Sequence, residues 1–429
     1  MKTFKLNTSL DKPTLLKIAH LFAETEGTCL LYSGGDLDSA EKSFLFLFPF
    51  DHIEIRNEKN PWGLLKSKVN LNTSWVGFLS YEMGMEATEN LFPNAYFQQS
   101  SITLVVDHQS GISKIIAHNG SNKLSLFANS WIKKLSEIEF WEVFIQSLQE
   151  IPTTSTKPLV VNKKLDMLEY FNKVLHIQEM INDGDVYQVN ISHEFEFTGE
   201  RNPFQIFHQL AIINPAPFQC YFNHPDFTIV SSSPERFLKK SDGQLETRPI
   251  KGTISRGKTA LEDSENAEKL KTCEKNLSEL LMITDLMRND LGKISLPGSV
   301  KTLKIAKLEA YTNVYHLLSI IQSIPIPSIH PVDLVKACFP GGSITGCPKI
   351  MAMKVIKKLE KRTRGIYTGS IGYFDENGDF DFNIAIRTIL FYQNKINIQL
   401  GGAITTDSDP EEEYKETMHK GDSIFLSLT

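Results

Sequence analysis

A chain of 429 residues, 41% hydrophobic and 22% charged, has the make-up of an ordinary globular protein and is too long for one small core. Its net charge of −6 excludes a broad basic face for nucleic acid or an anionic membrane, so any anionic ligand must be drawn in by local cations or a metal. The five cysteines are odd in number and none has CxxC spacing, which excludes a zinc ribbon or a thioredoxin-like motif and fits reduced thiols in a cytoplasmic protein.

The N-terminus lacks the unbroken apolar stretch of a signal peptide. The most apolar run, FLFLFPF at 44–50, is far short of the ~20 residues that span a bilayer. A soluble intracellular chain is expected. KSFLFLFPF (42–50) and SWVGFLSYE (74–82) read as strands, and SITLVVDHQSGISKIIAH (101–118) as a hairpin turning at Gln109-Ser110-Gly111. EIPTTSTKPLVVNKK (150–164), rich in proline and threonine, reads as a linker between regions 1–150 and 165–429.

Past the linker, residues 166–185 carry helical spacing in Leu168, Phe171, Val174 or Leu175, Ile177 or Gln178, and Ile181, and stop at Asp183-Gly184. Strands follow at 186–197, 218–223, 227–233 and 245–250. One long helix is expected over 262–291, with Leu270, Leu277, Leu280, Leu281 and Met287 on its stripe. Residues 365–405 read as further strands. Asp409 and Pro410 are a natural cap and first-turn residue for a last helix. Strands come in runs rather than in βαβ alternation, so the fold class is α+β with large antiparallel sheets.

Some residues invite chemistry without deciding it. Lys251 lies between Pro249 and Gly252, a frame that a solvated lysine does not need. Glu279 shares a helix face with Met282, Ile283 and Leu286, so its carboxylate requires a cation, a metal or a cap. Glu416 stands at i,i+4 to Lys420, a spacing that serves a surface ion pair as well as a metal ligand. Glu235 follows a strand and a proline at a loop edge. His316 sits among apolar residues, as core histidines do. FPGGSITGCPK (339–349) is a glycine-rich loop that runs into a helix and can present backbone N–H groups to an anion, but it lacks the lysine of a Walker A loop.

Taken in order, GDVYQVNIS, SSSPERF, RPIKGTISRG, ELLMITDLMRNDLG, VYHLLS, FPGGSITGCPK, RGIYTGSIGYF, AIRT, GGAIT and PEEEYKET give 165–429 a clear resemblance to the chorismate-utilising enzymes. These include anthranilate, aminodeoxychorismate, isochorismate and salicylate synthases. LLYSGGDLD and GFLSYEMG extend a weaker resemblance into region 1–150. The resemblance implies a large antiparallel β-sandwich flanked by helices, with chorismate as substrate. It implies Mg2+ on Glu279 and Glu416, and substrate contacts from Gly252, Thr253, Tyr367, Arg387, Gly401, Gly402, Ala403 and Lys420. It also makes His316 an active-site histidine.

Two positions narrow what the resemblance implies. Family members that add water have lysine where this chain has Gln188, so Gln188 marks an ammonia user. Lys251 stands where anthranilate synthases have alanine and where the aminodeoxychorismate-forming branch has lysine, in a PIKGT segment like this one. That branch implies Lys251 as nucleophile, Glu235 as general acid, and a separate glutaminase subunit as heterodimer partner and ammonia source. Anthranilate formation, and a non-catalytic paralogue that binds a carboxylate or the glutaminase, are the alternatives.

Overall fold

The computed structural model describes residues 2–7, 9–70, 73–85, 90–118, 126–152, 157–163 and 166–429. Of the linker read at 150–164, residues 153–156 and 164 lie outside the described residues. Among the described residues, twenty strands join into one antiparallel network flanked by helices, an α+β fold as expected. No helix among them is long and apolar enough to cross a membrane.

The FLFLFPF run explains the layering. In strand Lys42–Ile55 successive side chains point to opposite faces. Leu45 and Leu47 enter a core that helices Lys12–Leu21, Pro203–Ile213 and Pro410–Leu428 cover. Phe46, on the other face, enters a core built by strands and loops, with Val76, Phe78, Phe222, Ile229 and Ile371. Both faces are buried, so the strand reads as continuously apolar instead of alternating. The Phe78 ring meets Phe222 and Phe227 edge-on at 6.1 and 5.9 Å inside this sandwich.

The network runs through the segment read as a linker, since strand Val160–Lys163 itself pairs with Gln188–Thr198. Strand Cys29–Tyr32 pairs with Phe218–Asn223, and Trp75–Leu79 pairs with Ser370–Phe374. Strand Gln188–Thr198 runs against Lys395–Ile404 along the whole length of the latter.

The expected helix over 262–291 is instead two helices, Ala260–Thr272 and Glu274–Gly292, separated at Cys273, whose ψ of 106° is extended. Burial supplies the reason. Leu270 and Leu280 pack in one cluster with Leu317, whereas ten residues of straight helix would hold them about 15 Å apart. The break also brings residues from both helix ends to one rim. The Asp409 cap falls where the sequence places it, accepting from the N–H groups of Glu411 and Glu412, and Asp166, not read as a cap, accepts from those of Leu168 and Glu169.

Candidate active site

A cavity of about 540 Å³ opens where strand Ile250–Ser255, helix Glu274–Gly292, the glycine-rich loop and the C-terminal helix converge. Its wall includes Glu235, Lys251, Gly252, Thr253, Glu279, His316, Tyr367, Arg387, Gly401, Ala403, Glu416 and Lys420. Residues scattered through the sequence are thus gathered around one space.

Lys251 reaches it through a bulge. Strand Ile250–Ser255 pairs with Val314–Ser323, but the register shifts between Lys251 and Thr253, which faces His316. Gly252, at φ +79°, is the extra residue, and a β-carbon there would come 3.0 Å from Asn276 Cγ. Only glycine makes this turn without strain, and the bulge re-aims the lysine. Lys251 Nζ donates to the Ser343 carbonyl at 3.2 Å. Burial pulls its pKa below the usual lysine range; Glu279 opposes that and Lys420 adds to it.

Glu235 is buried at the start of strand Arg236–Ser241. Burial pushes its pKa up to about 7, against Ser343, Lys251 and the Ile250 N–H, which all favour the carboxylate. A carboxyl group there holds a proton near neutrality, as a general acid must. His316 is buried too, and its pKa falls to about 3, first through burial and then through Arg387. It is therefore a neutral imidazole. Nδ1 lies 2.9 Å from the Thr253 hydroxyl, and among the described residues Nε2 has no partner.

Arg387 precedes strand Thr388–Tyr392 with φ 51°, a left-handed backbone uncommon outside glycine. Among the described residues its guanidinium makes no hydrogen bond or ion pair, and burial lowers its pKa without any carboxylate to oppose the shift. A half-buried cation without a counter-ion is unfavourable, so a carboxylate-bearing ligand fits this position.

Glu279 has its pKa raised by burial, with Lys251 and Lys275 opposing. Glu416 is paired with Lys420 at 2.7 Å, which holds its carboxyl down at about 2. The i,i+4 ion pair read from the sequence is therefore real, and both of its members also face the cavity. No group of three or more His, Cys, Asp or Glu stands ready for a metal among the described residues. Two facing carboxylates nevertheless fit Mg2+, which takes one or two carboxylates and completes its octahedron with water and substrate oxygens.

Strand Lys395–Ile404 divides its residues between two faces. Gly401 and Ala403 line the cavity, and a β-carbon on Gly401 would sit 2.9 Å from the Tyr367 hydroxyl. Gly402, between them, points toward Glu413, Thr417 and Tyr170 and does not line the cavity. Gln188 is not in the wall either. It is fully buried opposite Cys347, and among the described residues neither its amide oxygen nor its nitrogen has a partner.

Sequence reasoning missed Asn190, Asn276, Ser343 and Gln399, all of which line the cavity.

With this geometry in view, the comparisons with known proteins are specific. The family model described as chorismate binding enzyme matches residues 18–425. The chain belongs to the chorismate binding enzyme family. A relative in Bacillus subtilis, aminodeoxychorismate synthase component 1, is 38% identical over 82% of this chain and 76% of its own. An anthranilate synthase component I-like protein of Synechocystis is 35% identical over 82% of this chain and 72% of its own. Among solved structures, anthranilate synthase component I from Streptococcus pneumoniae superposes with a TM-score of 0.76 at 27% identity, covering 91% of this chain and 93% of the other. As a chorismate binding enzyme, the chain uses chorismate, and the large antiparallel sheet with outer helices is the family's fold.

Proposed function

We propose that this enzyme replaces the C4 hydroxyl of chorismate with an amino group, forming 4-amino-4-deoxychorismate through a covalent adduct on Lys251. The observation that carries the reading is Lys251 itself: half-buried, lowered in pKa, and aimed by the Gly252 bulge into a cavity that also holds Glu235. Relatives named aminodeoxychorismate synthase component 1 support the same branch.

In this mechanism Arg387 grips one carboxylate of the substrate, and the Gly401 backbone and Tyr367 close around the ring. Neutral Lys251 attacks C2. The ring double bonds shift, and the C4 oxygen departs as water with the proton that Glu235 supplies. Ammonia then adds at C4, the double bonds shift back, and the Nζ–C2 bond breaks. The surplus proton returns to Glu235, so chorismate and ammonia become aminodeoxychorismate and water. Mg2+ held by Glu279 and Glu416 supplies, when bound, neutralisation of the ring carboxylate.

Ammonia comes from a separate glutaminase subunit in this reading, in keeping with the "component 1" names of the relatives. We place the enzyme in the cytoplasm, in keeping with the five free thiols. Anthranilate formation is the second reading, favoured by the match to the pneumococcal anthranilate synthase. Incubation with chorismate, Mg2+ and ammonium separates the two. A non-fluorescent product of aminodeoxychorismate mass, whose formation falls at least about 10³-fold in Lys251→Ala, is expected. Fluorescent anthranilate from the wild type would overturn the assignment.

A further inference from the structure

Behind the cavity lies a buried cation that the mechanism does not use. Arg364 is 1% exposed and heads the turn that carries Tyr367. Its guanidinium satisfies several elements at once. Nε and Nη2 donate to the two Glu360 oxygens at 3.0 and 2.7 Å, and Nη2 also donates to the Asn190 carbonyl at 2.7 Å. Nη1 donates to the Ile344 carbonyl at 2.9 Å and, more weakly, to the Thr368 hydroxyl at 3.3 Å. Asn190 and Ile344 line the cavity, from the central strand and the glycine-rich loop.

Region 1–150 holds the same residue from the other side. The Glu82 carboxylate accepts the Arg364 N–H at 2.7 Å and the Gly365 N–H at 3.1 Å, and the Tyr81 N–H donates to the Gly365 carbonyl at 2.8 Å. The Tyr81 ring lies under the guanidinium at 4.8 Å. Glu82 is buried, and besides this turn its Oε2 accepts only a longer bond from Asn90 Nδ2 at 3.3 Å among the described residues. From the cavity side, Gln399 Nε2 donates to the Arg364 carbonyl at 2.9 Å.

A cation that only balanced Glu360 would need no fork reaching two cavity-wall carbonyls. A carboxylate on two successive N–H groups fixes the path of the chain just before Tyr367. We propose that Arg364 is the positioning residue of this site: it ties the glycine-rich loop at Ile344 and the strand at Asn190 to the Tyr367 turn, and Tyr81 and Glu82 brace it. The N-terminal region thereby acts on catalysis without touching substrate. Resting on the reading of this cavity as the chorismate site, the inference adds residues to which nothing above gives a role in catalysis.

Arg364→Lys keeps the charge and loses the fork, and Glu82→Gln keeps the volume and weakens the brace. Hydrogen exchange of the full chain, resolved by segment, is the first readout. In both variants exchange rises at least about tenfold in 339–348 and 364–370 and is unchanged elsewhere. Exchange that stays at the wild-type level there, or that rises across the whole chain, would overturn the proposal. Turnover is the second readout: kcat/KM for chorismate falls about a hundredfold in Arg364→Lys, and combination with Tyr367→Phe is strongly non-additive. Additive losses would mean that Arg364 does not act through Tyr367 and would also overturn it. If Arg364→Lys fails to fold, Glu82→Gln decides alone. If the wild type leaves chorismate unchanged, the functional reading falls, while the exchange pattern still decides the role of Arg364.

Discussion

In the smaller cavity of about 260 Å³ beside strand Cys29–Tyr32, charges answer one another. Lys239 meets Glu41 at 2.7 Å, Lys240 meets Asp379 at 2.7 Å, and Asp381 takes both prongs of buried Arg236 at 3.0 and 2.9 Å. In the larger cavity Arg387 has no counter-ion among the described residues, Lys251 has only a carbonyl, and Glu235 holds a pKa near 7. Both spaces are polar, yet the larger one, beside its own Glu416–Lys420 pair, leaves Arg387 unanswered. Paired charges fix a structure, whereas a buried charge kept unpaired carries a cost that a ligand of opposite sign relieves.

Removing divalent metal should separate the two cavities most sharply. A chelator is expected to lower turnover of chorismate by more than about 10³-fold, with recovery on added Mg2+, and leave the thermal midpoint of the free enzyme nearly unchanged. Activity that survives exhaustive chelation would remove Glu279 and Glu416 from the metal role.

Next in size is Glu235→Gln, with kcat/KM expected to drop about 10³-fold. The step needs Glu235 protonated and Lys251 neutral, which are opposite requirements, so the wild-type profile is a bell. The break near pH 7 belongs to Glu235, whose protonated fraction falls as pH rises, and the other break to Lys251, whose neutral fraction grows as pH rises. In the variant the flank near 7 disappears and the lysine flank stays. An unaltered bell would assign the acid elsewhere.

Arg387→Leu is expected to cost about 100-fold in kcat/KM, mostly through KM, while the free protein loses no stability, because an uncompensated charge has been removed. Arg236→Met should do the reverse. Its buried acids lose their partner, so urea unfolding should show a loss of about 3 kcal/mol or more, with kcat within about twofold of wild type. A large change in kcat with unchanged stability would erase the contrast between the cavities.

Much of this was legible in the sequence because it is written locally. Strand runs, the Asp409 cap and the Gly252 frame around Lys251 each depend on neighbours in the chain. The family motifs supplied the cavity wall. Tertiary packing hid the rest. Nothing near Cys273 breaks a helix by propensity, and the break appears only once Leu270 and Leu280 must reach the same partner. Gly402 lies inside a motif but on the wrong face of its strand. Arg364 and Glu360 show only an i,i+4 spacing, and their reach to Asn190 and Ile344 exists only after folding. Asn190, Asn276 and Gln399 are amides, which carry no charge signature to announce them.

The pairing across the linker also sets a timetable. Leu30 meets Tyr221, and Val76 meets Tyr373, so strands made early in synthesis pair at once with near neighbours on one edge but wait on the other edge for residues of the later half. Until then the apolar strand Lys42–Ile55 has nothing from the later half to cover its Phe46 face, and the neighbouring edges stay open. Contacts of such long sequence separation make folding slow and leave the nascent chain prone to aggregate. The same strands that give the mature enzyme a continuous sheet leave its N-terminal region with apolar surface to shield during translation.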